Sequence, residues 1–360
     1  MYFMKKKKIL VFPQRETPLN SYLGNLTGVI SDEYNVVGVN EALSRNWRSL
    51  FFYDVVHLNW LENIRGNNLI KVWMNFIFRF ATLLYFVLRR KPIIWTIHNK
   101  EVHGQELGKS FSRIMMTALL KWSSRIHILC DATFDEIPAL EKYRNKVVCI
   151  PHGDYIQNYP KSSLDIRKKY GIAESKKILL FCGKIDPYKN IDVLVRAFCK
   201  SNMEQSDFVL LVCGSCKDSL YRNKIVLASQ ENKNVILDFS FIPVEQMEAY
   251  LTQSLLMVAP YDKRCTLNSG TLWMAFSYGK TMVCPEIGCV RDVTNFGDIV
   301  YSYDYNSVES HENALVTAFD RVKEDSLDGT LSLKGQRAFD YIKSRSWKTF
   351  KKSWETLYKF

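Results

Sequence analysis

The chain has 360 residues, 47% of them hydrophobic and 24% charged, with 49 basic against 37 acidic side chains and a net charge of +12. Such a length exceeds one ordinary core and argues for two domains, and the composition excludes a disordered or low-complexity chain. The basic excess asks for an anionic partner; with no nucleic-acid motif and with Lys and Arg spread along the chain, phosphates or a membrane surface are expected and nucleic acid is not.

Lys5 to Lys8 precede only four apolar residues, too few for a signal peptide. Strands are predicted at 9–12, 36–39, 54–59, 92–98, 125–130 and 147–151, then at 177–182, 208–213, 235–239, 255–260, 281–284 and 299–302. Longer helical patterns separate these short β-branched runs, which is the signature of parallel α/β sheets with six strands in each half. The polar stretch 152–174, with Pro160, reads as the interdomain connection. The expected fold is therefore α/β, two Rossmann-like doubly wound domains at 1–155 and 156–335 facing a cleft. Residues 336–360 form a C-terminal helix, with Trp347, Phe350, Trp354, Leu357 and Tyr358 on an apolar face suited to docking on the first domain.

Residues 69–88, LIKVWMNFIFRFATLLYFVL, are nearly all apolar. Lys71, Asn75, Arg79 and Thr82 share one helical face, and two charges make a spanning helix unfavourable. A mostly buried crossover helix with a narrow polar stripe is the first reading. A helix lying on the inner leaflet, with Arg89 and Arg90 at the headgroups, is the second. The nine cysteines show no metal-type spacing. They read as buried, reduced thiols of a cytoplasmic protein, with no metal expected.

Ligands of doubly wound sheets bind at the carboxyl ends of strands. There the sequence FCGKIDPYKNIDVLVRAF offers Gly183, Lys184 and Lys189 around a tight strand-to-helix loop, two point charges suited to a diphosphate. Asn268, Ser269, Gly270 and Thr271 precede a helix; Ser269 and Asn268 suit its N-cap, and its positive end can take an anion. In the first half, His57 and His98 end strands and His152 follows one, and three of six histidines at such ends favour a functional role.

This order resembles the donor-binding domain of GT-B glycosyltransferases, in particular the group 1 clan that includes glycogen synthases and bacterial mannosyltransferases. The matching features are Gly183 with Lys184 and Lys189, Gly214 after the next strand, the turn SFIPVE, the helix ending in SYG, and MVCPEIG. The resemblance covers roughly residues 176 to 300. It implies that Lys184 and Lys189 bind the donor diphosphate, that Phe241, Ile242 and Pro243 lie near the base, and that Ser269, Gly270 and Thr271 contact phosphate. It also implies that Asn20, Tyr22, His57 and His152 line the acceptor side, that His98 is an active-site histidine, and that His152 with Gly153 lies at the hinge in VVCIPHGDY.

Retaining members of that clan carry two glutamates eight positions apart, where this chain has Thr266 and Met274. An inverting reaction would instead need a base, for which His98, Glu101 and His103 are the candidates. The expected function is metal-independent sugar transfer, without cofactor, from a UDP- or GDP-sugar to a glycan. That glycan is expected on a polyprenyl-diphosphate carrier in bacterial surface polysaccharide synthesis, at the inner face of the membrane. The alternatives are a sugar-nucleotide 2-epimerase and a catalytically inert partner subunit.

Overall fold

The computed structural model describes residues 6–14, 21–45, 47–101, 106–201, 203, 207–230 and 232–360. Asn20 and His103 lie outside them. The chain divides into two compact units. The first comprises Met1–Gly153, Arg264–Asn268 and Arg345–Phe360; the second comprises Asp154–Lys263 and Ser269–Ser344.

In the first unit six parallel strands run β1 (Lys8–Phe12), β2 (Asn35–Gly38), β3 (Val55–Asn59), β4 (Ile93–Ile97), β5 (Arg125–Ile128) and β6 (Val147–Cys149), in the spatial order β2-β1-β3-β4-β5-β6. The second unit holds β7 (Lys177–Cys182), β8 (Phe208–Cys213), β9 (Val235–Asp238), β10 (Leu256–Val258), β11 (Met282–Pro285) and β12 (Tyr301–Tyr303), ordered β12-β11-β10-β7-β8-β9. Both sheets are parallel throughout. Central strands such as Ile93–Ile97 and Phe208–Cys213 are buried at every residue, which explains why they read as continuous apolar runs rather than alternating ones. The GT-B expectation of two doubly wound sheets is thus met in strand number, direction and order.

The last sixteen residues belong to the first unit, where Trp354, Leu357 and Tyr358 are fully buried against its core. The stretch 336–360 is not one helix, however. Thr330–Lys343 is a helix of the second unit, and only Lys351–Leu357 is helical beyond it. The reason is packing: Tyr341 stacks on Trp273 at 6.2 Å, and a Cβ on Gly335 would stand 2.4 Å from the Gly279 carbonyl, so this helix sits directly on second-unit backbone. The nine cysteines are free thiols, but Cys149 is exposed, contrary to the buried reading.

A buried polar chain crosses the first sheet, and its proton positions follow from its ends. The Ile150 carbonyl is acceptor-only, so His127 donates to it from Nε2 (2.9 Å). His127 Nδ1 then accepts from the Thr96 hydroxyl (2.9 Å), Thr96 accepts from His57 Nε2 (2.6 Å), and His57 Nδ1 accepts from the Tyr358 hydroxyl (2.6 Å). Every link is satisfied with both imidazoles neutral. Burial lowers the pKa of both rings, His127 to about 4 and His57 further below its ordinary value. Tyr358→Phe, which strands the buried His57 lone pair, is expected to cost about 1–3 kcal/mol in urea unfolding.

The helix Leu69–Leu88 forms with the predicted boundaries, capped by the Asn68 side chain on the Lys71 N–H at 2.9 Å. Its orientation reverses the first reading. Only Val72, Leu83 and Phe86 are buried, whereas Ile70, Trp73, Met74, Ile77 and Phe78 are exposed. Part of the polar stripe faces the protein. Arg79 donates to the carbonyls of Trp60 (2.6 Å) and Leu61 (3.1 Å), and Asn75 donates to that of Arg65 (2.8 Å). Those carbonyls follow the end of β3 and need donors that an apolar face could not supply.

Candidate active site

In the second unit, the loop after β7 is shaped by two glycines. Gly183 has φ of +134° and Gly214 +146°, both in the region L side chains rarely adopt, and a Cβ on Gly214 would lie 1.9 Å from the Gly183 carbonyl oxygen. The two strand ends therefore touch backbone to backbone. Across this surface Pro187–Lys189 makes one 3₁₀ turn, Asn190 takes a left-handed conformation with its amide on the Pro260 carbonyl (3.0 Å), and a helix runs through Ile191–Lys200. The turn brings the Lys189 ammonium to 3.6 Å from where a Gly183 Cβ would be. Burial lowers the Lys189 pKa to about 8, with Asp186 opposing the shift. The amine is still charged at neutral pH yet poorly solvated, so an arriving phosphate dianion would find a cation with little water to displace. Lys184 is exposed and paired with Asp186 at 2.7 Å, an ion pair the sequence reading missed.

The second anion element is the helix Gly270–Ser277. Ser269 is its N-cap: the hydroxyl accepts from the Leu272 N–H (3.3 Å) and donates to the Tyr261 hydroxyl (3.0 Å). Ser269 is thereby buried and committed to the cap, which leaves the first-turn N–H groups of Gly270 and Thr271 as the anion-facing donors. Asn268 is not part of this cap. It belongs to the first unit, where its amide donates to the His98 carbonyl (3.1 Å) and its Oδ1 is buried with no partner among the described residues. Beyond β9, Phe241 is exposed and Pro243 half-buried, but the Ile242 side chain turns into the core, so only its backbone can meet a ligand. Thr266 and Met274, at the family's glutamate positions, are both buried, and the Tyr159 hydroxyl lies 3.4 Å from the Met274 sulfur.

In the first unit, His98 is buried and stacked on the Trp60 ring at 4.2 Å. Asn59 donates its amide to the Phe12 carbonyl (3.3 Å), so its Oδ1 faces His98 and takes a proton from Nε2 (3.0 Å). The lone pair is then on Nδ1. Burial first, and the neighbouring histidines second, hold the His98 pKa well below its ordinary value, so the ring is neutral at pH 7. Tyr22 packs edge-on to His98 (5.1 Å) and lies 5.2 Å from His152 and 5.6 Å from Trp347. It is a packing hub rather than an acceptor-lining side chain. His152 donates from Nδ1 to the Gly153 carbonyl (2.7 Å), with its pKa lowered to about 4 by burial. His57 is fully buried in the polar chain described above, and its assignment to an acceptor surface is corrected on that ground. Glu101 is bound to Arg113 at 2.5 Å and lies 3.8 Å from Lys109, so its carboxylate is already matched by cations. Trp60 and Asn59, which fix the His98 ring, were missed; the run HLNW carried them, but nothing in it marks a partner thirty-nine residues on.

Residues 162–328, which include both lysines, both glycines and the capped helix, match the family model described as glycosyl transferases group 1. Over that span, a little under half of the chain, it is similar to this family. D-rhamnosyltransferase WbpZ of Pseudomonas aeruginosa is 26% identical over 212 residues, 58% of this chain and 53% of that protein. The chain therefore spans about half the length of the curated relative it matches. Among solved structures, Anabaena HepE in complex with UDP and glucose aligns over 99% of this chain and 100% of its own, with TM-score 0.67 and 14% identity. Sucrose-phosphate synthase of Thermosynechococcus elongatus aligns over 98% of both chains, with TM-score 0.70 and 14% identity. At such identities these two structures establish the fold, and the similarity to group 1 is that of the 162–328 segment.

Proposed function

We propose that the protein is a glycosyltransferase that moves a sugar from a UDP- or GDP-sugar to a glycan in bacterial surface polysaccharide synthesis. The observation that carries this reading is the half-buried Lys189, whose ammonium is held over the side-chain-free Gly183 backbone within the segment similar to group 1. In the proposed mechanism the donor diphosphate lies against Lys189, Lys184 and the first turn of the Gly270–Ser277 helix. As the glycosidic bond to phosphate breaks, these positive groups take up the charge growing on the leaving diphosphate, which lowers the barrier without a proton transfer to it. Phe241, exposed beyond β9, is the proposed stacking surface for the base. His98 is the favoured base candidate, because its Nδ1 carries the lone pair while Glu101 is matched by Arg113 and Lys109. The names, D-rhamnosyltransferase for WbpZ and a complex with UDP and glucose for HepE, support a sugar nucleotide as the donor. The acceptor is proposed to be carried on a polyprenyl diphosphate, with the protein peripheral at the cytoplasmic face of the membrane.

Thr266 and Met274 favour a second reading, an inert subunit that keeps the nucleotide site alone. Binding and turnover separate the two. UDP or GDP at a hundredfold excess over Kd is expected to stabilise the protein by about 2.7 kcal/mol in thermal unfolding. Lys189→Ala is expected to weaken that nucleotide by about 10- to 100-fold, the value of one charge-assisted contact, while leaving the unfolding of the free protein in place. Unchanged affinity in the variant would remove the phosphate site from this loop. Nucleotide binding without release of UDP or GDP from any sugar nucleotide, with acceptor glycans present, would favour the inert subunit.

A further inference from the structure

We propose that the outward face of the Leu69–Leu88 helix is a seat for an anionic lipid bilayer, lying in the membrane plane with its apolar side chains among the acyl chains. This gives the peripheral attachment proposed above a surface and a lipid class, and to that extent rests on it. Ile70, Trp73, Met74, Ile77 and Phe78 recur at three- and four-residue spacing and are all more than half exposed, Ile70 at 71%. They form one continuous apolar stripe pointing away from the unit that the helix belongs to.

The helix is long and apolar enough to cross a bilayer, but the topology forbids it. It connects β3 to β4, which are hydrogen-bonded parallel neighbours in one sheet, and a crossing would put them on opposite sides of the membrane. Arg79 also fastens its inner face to the Trp60 and Leu61 carbonyls. An in-plane position is what remains.

Charge selects the lipid. From Asn63 to Lys100 the chain has seven Lys and Arg and no Asp or Glu. Arg89, Arg90 and Lys91 are exposed at the C-terminal end of the helix, where anionic headgroups would lie. Beside them stand exposed aromatics: Arg89 donates to the Phe51 carbonyl (2.8 Å), the Phe51 ring meets Tyr85 at 6.3 Å, and Trp47 stands 5.9 Å from Phe51. Aromatic rings with arginine are the pairing that settles at the boundary between headgroups and acyl chains. A protein partner would not require acid-free flanks over so long a stretch, whereas an anionic surface does.

The test is co-sedimentation of the full chain with phosphatidylcholine vesicles, with and without phosphatidylglycerol. The wild type is expected to pellet with the phosphatidylglycerol vesicles and to be released by salt. Ile77→Glu with Phe78→Glu, both exposed positions, is expected to weaken binding on the order of tenfold or more, with thermal unfolding and nucleotide response unchanged. Arg90→Gln with Lys91→Gln is expected to weaken it by roughly fivefold per charge. The proposal is overturned if the wild type stays in the supernatant with both vesicles, or if the Glu variant binds as well as wild type. A wild-type dimer that the Glu variant dissociates, with neither form binding vesicles, would make a second copy of the chain the occupant and would also overturn it. The assay contains no donor or acceptor, so failure of the transferase reading and failure of the lipid seat are observed separately.

Discussion

Lowering the pH from 7 to 5 is expected to destabilise the protein on the order of 7 kcal/mol, enough to unfold a domain of ordinary stability. All five described histidines are buried, and all have pKa values below the ordinary one: His127, His152 and His311 at about 4, His57 and His98 lower than usual by a wide margin. A histidine near 4 in the folded chain and near 6.5 in the unfolded one takes up its proton first in the unfolded state. Stability is therefore full above about pH 6.5 and falls as the pH drops below it, by about 1.8 kcal/mol per such group between 7 and 5. Glu62 opposes the trend. Burial beside the Trp95 indole raises its pKa to about 7, so the folded state gains its proton over the same interval and recovers about 2 kcal/mol. Urea unfolding at pH 7, 6 and 5 measures the slope; a flat profile would mean that these imidazoles are not held neutral by burial.

Trp354→Ala is expected to cost about 3–5 kcal/mol, the range for removing a large aromatic from a close-packed core. The ring is fully buried, stacked with Trp347 at 6.1 Å and 4.6 Å from the His127 ring. Trp354→Phe is the informative partner variant. The indole nitrogen is buried without a hydrogen-bond partner among the described residues, so Phe loses volume but relieves an unmet donor, and a smaller cost is expected. If Ala and Phe cost the same, the polar atom rather than the packing governs this position.

The twelve strands were legible because each is a short β-branched or apolar run, and a parallel sheet covered on both faces tolerates little else. The loop after β7 was legible for a related reason. Gly183 and Gly214 occupy conformations that exclude side chains, so the glycines in the sequence mark where backbones meet. What could not be read was direction. Helical spacing groups Asn75 with Arg79 but does not say whether their face meets water or the Trp60 carbonyl. His57 could not be separated from His98 either: both read as strand ends, although His57 lies inside Val55–Asn59, and their different surroundings depend on Tyr358 and Trp60, residues that no local pattern links to them. Ser269 was correctly read as a cap, but the Tyr261 hydroxyl that occupies it is eight residues upstream.

The first unit is assembled from three stretches of chain, and the third, Arg345–Phe360, is made long after the first. At ordinary synthesis rates, the roughly two hundred residues after Gly153 take about 10–40 s to translate. Throughout that interval the strands of the first sheet are complete, while the ground that Trp354, Leu357 and Tyr358 will cover stays bare and the His57 lone pair waits for its donor. The nascent first unit is thus an unfinished core, open to aggregation and to chaperones, until Arg345–Phe360 has been made. A chain cut before Trp354 would keep it in that condition permanently.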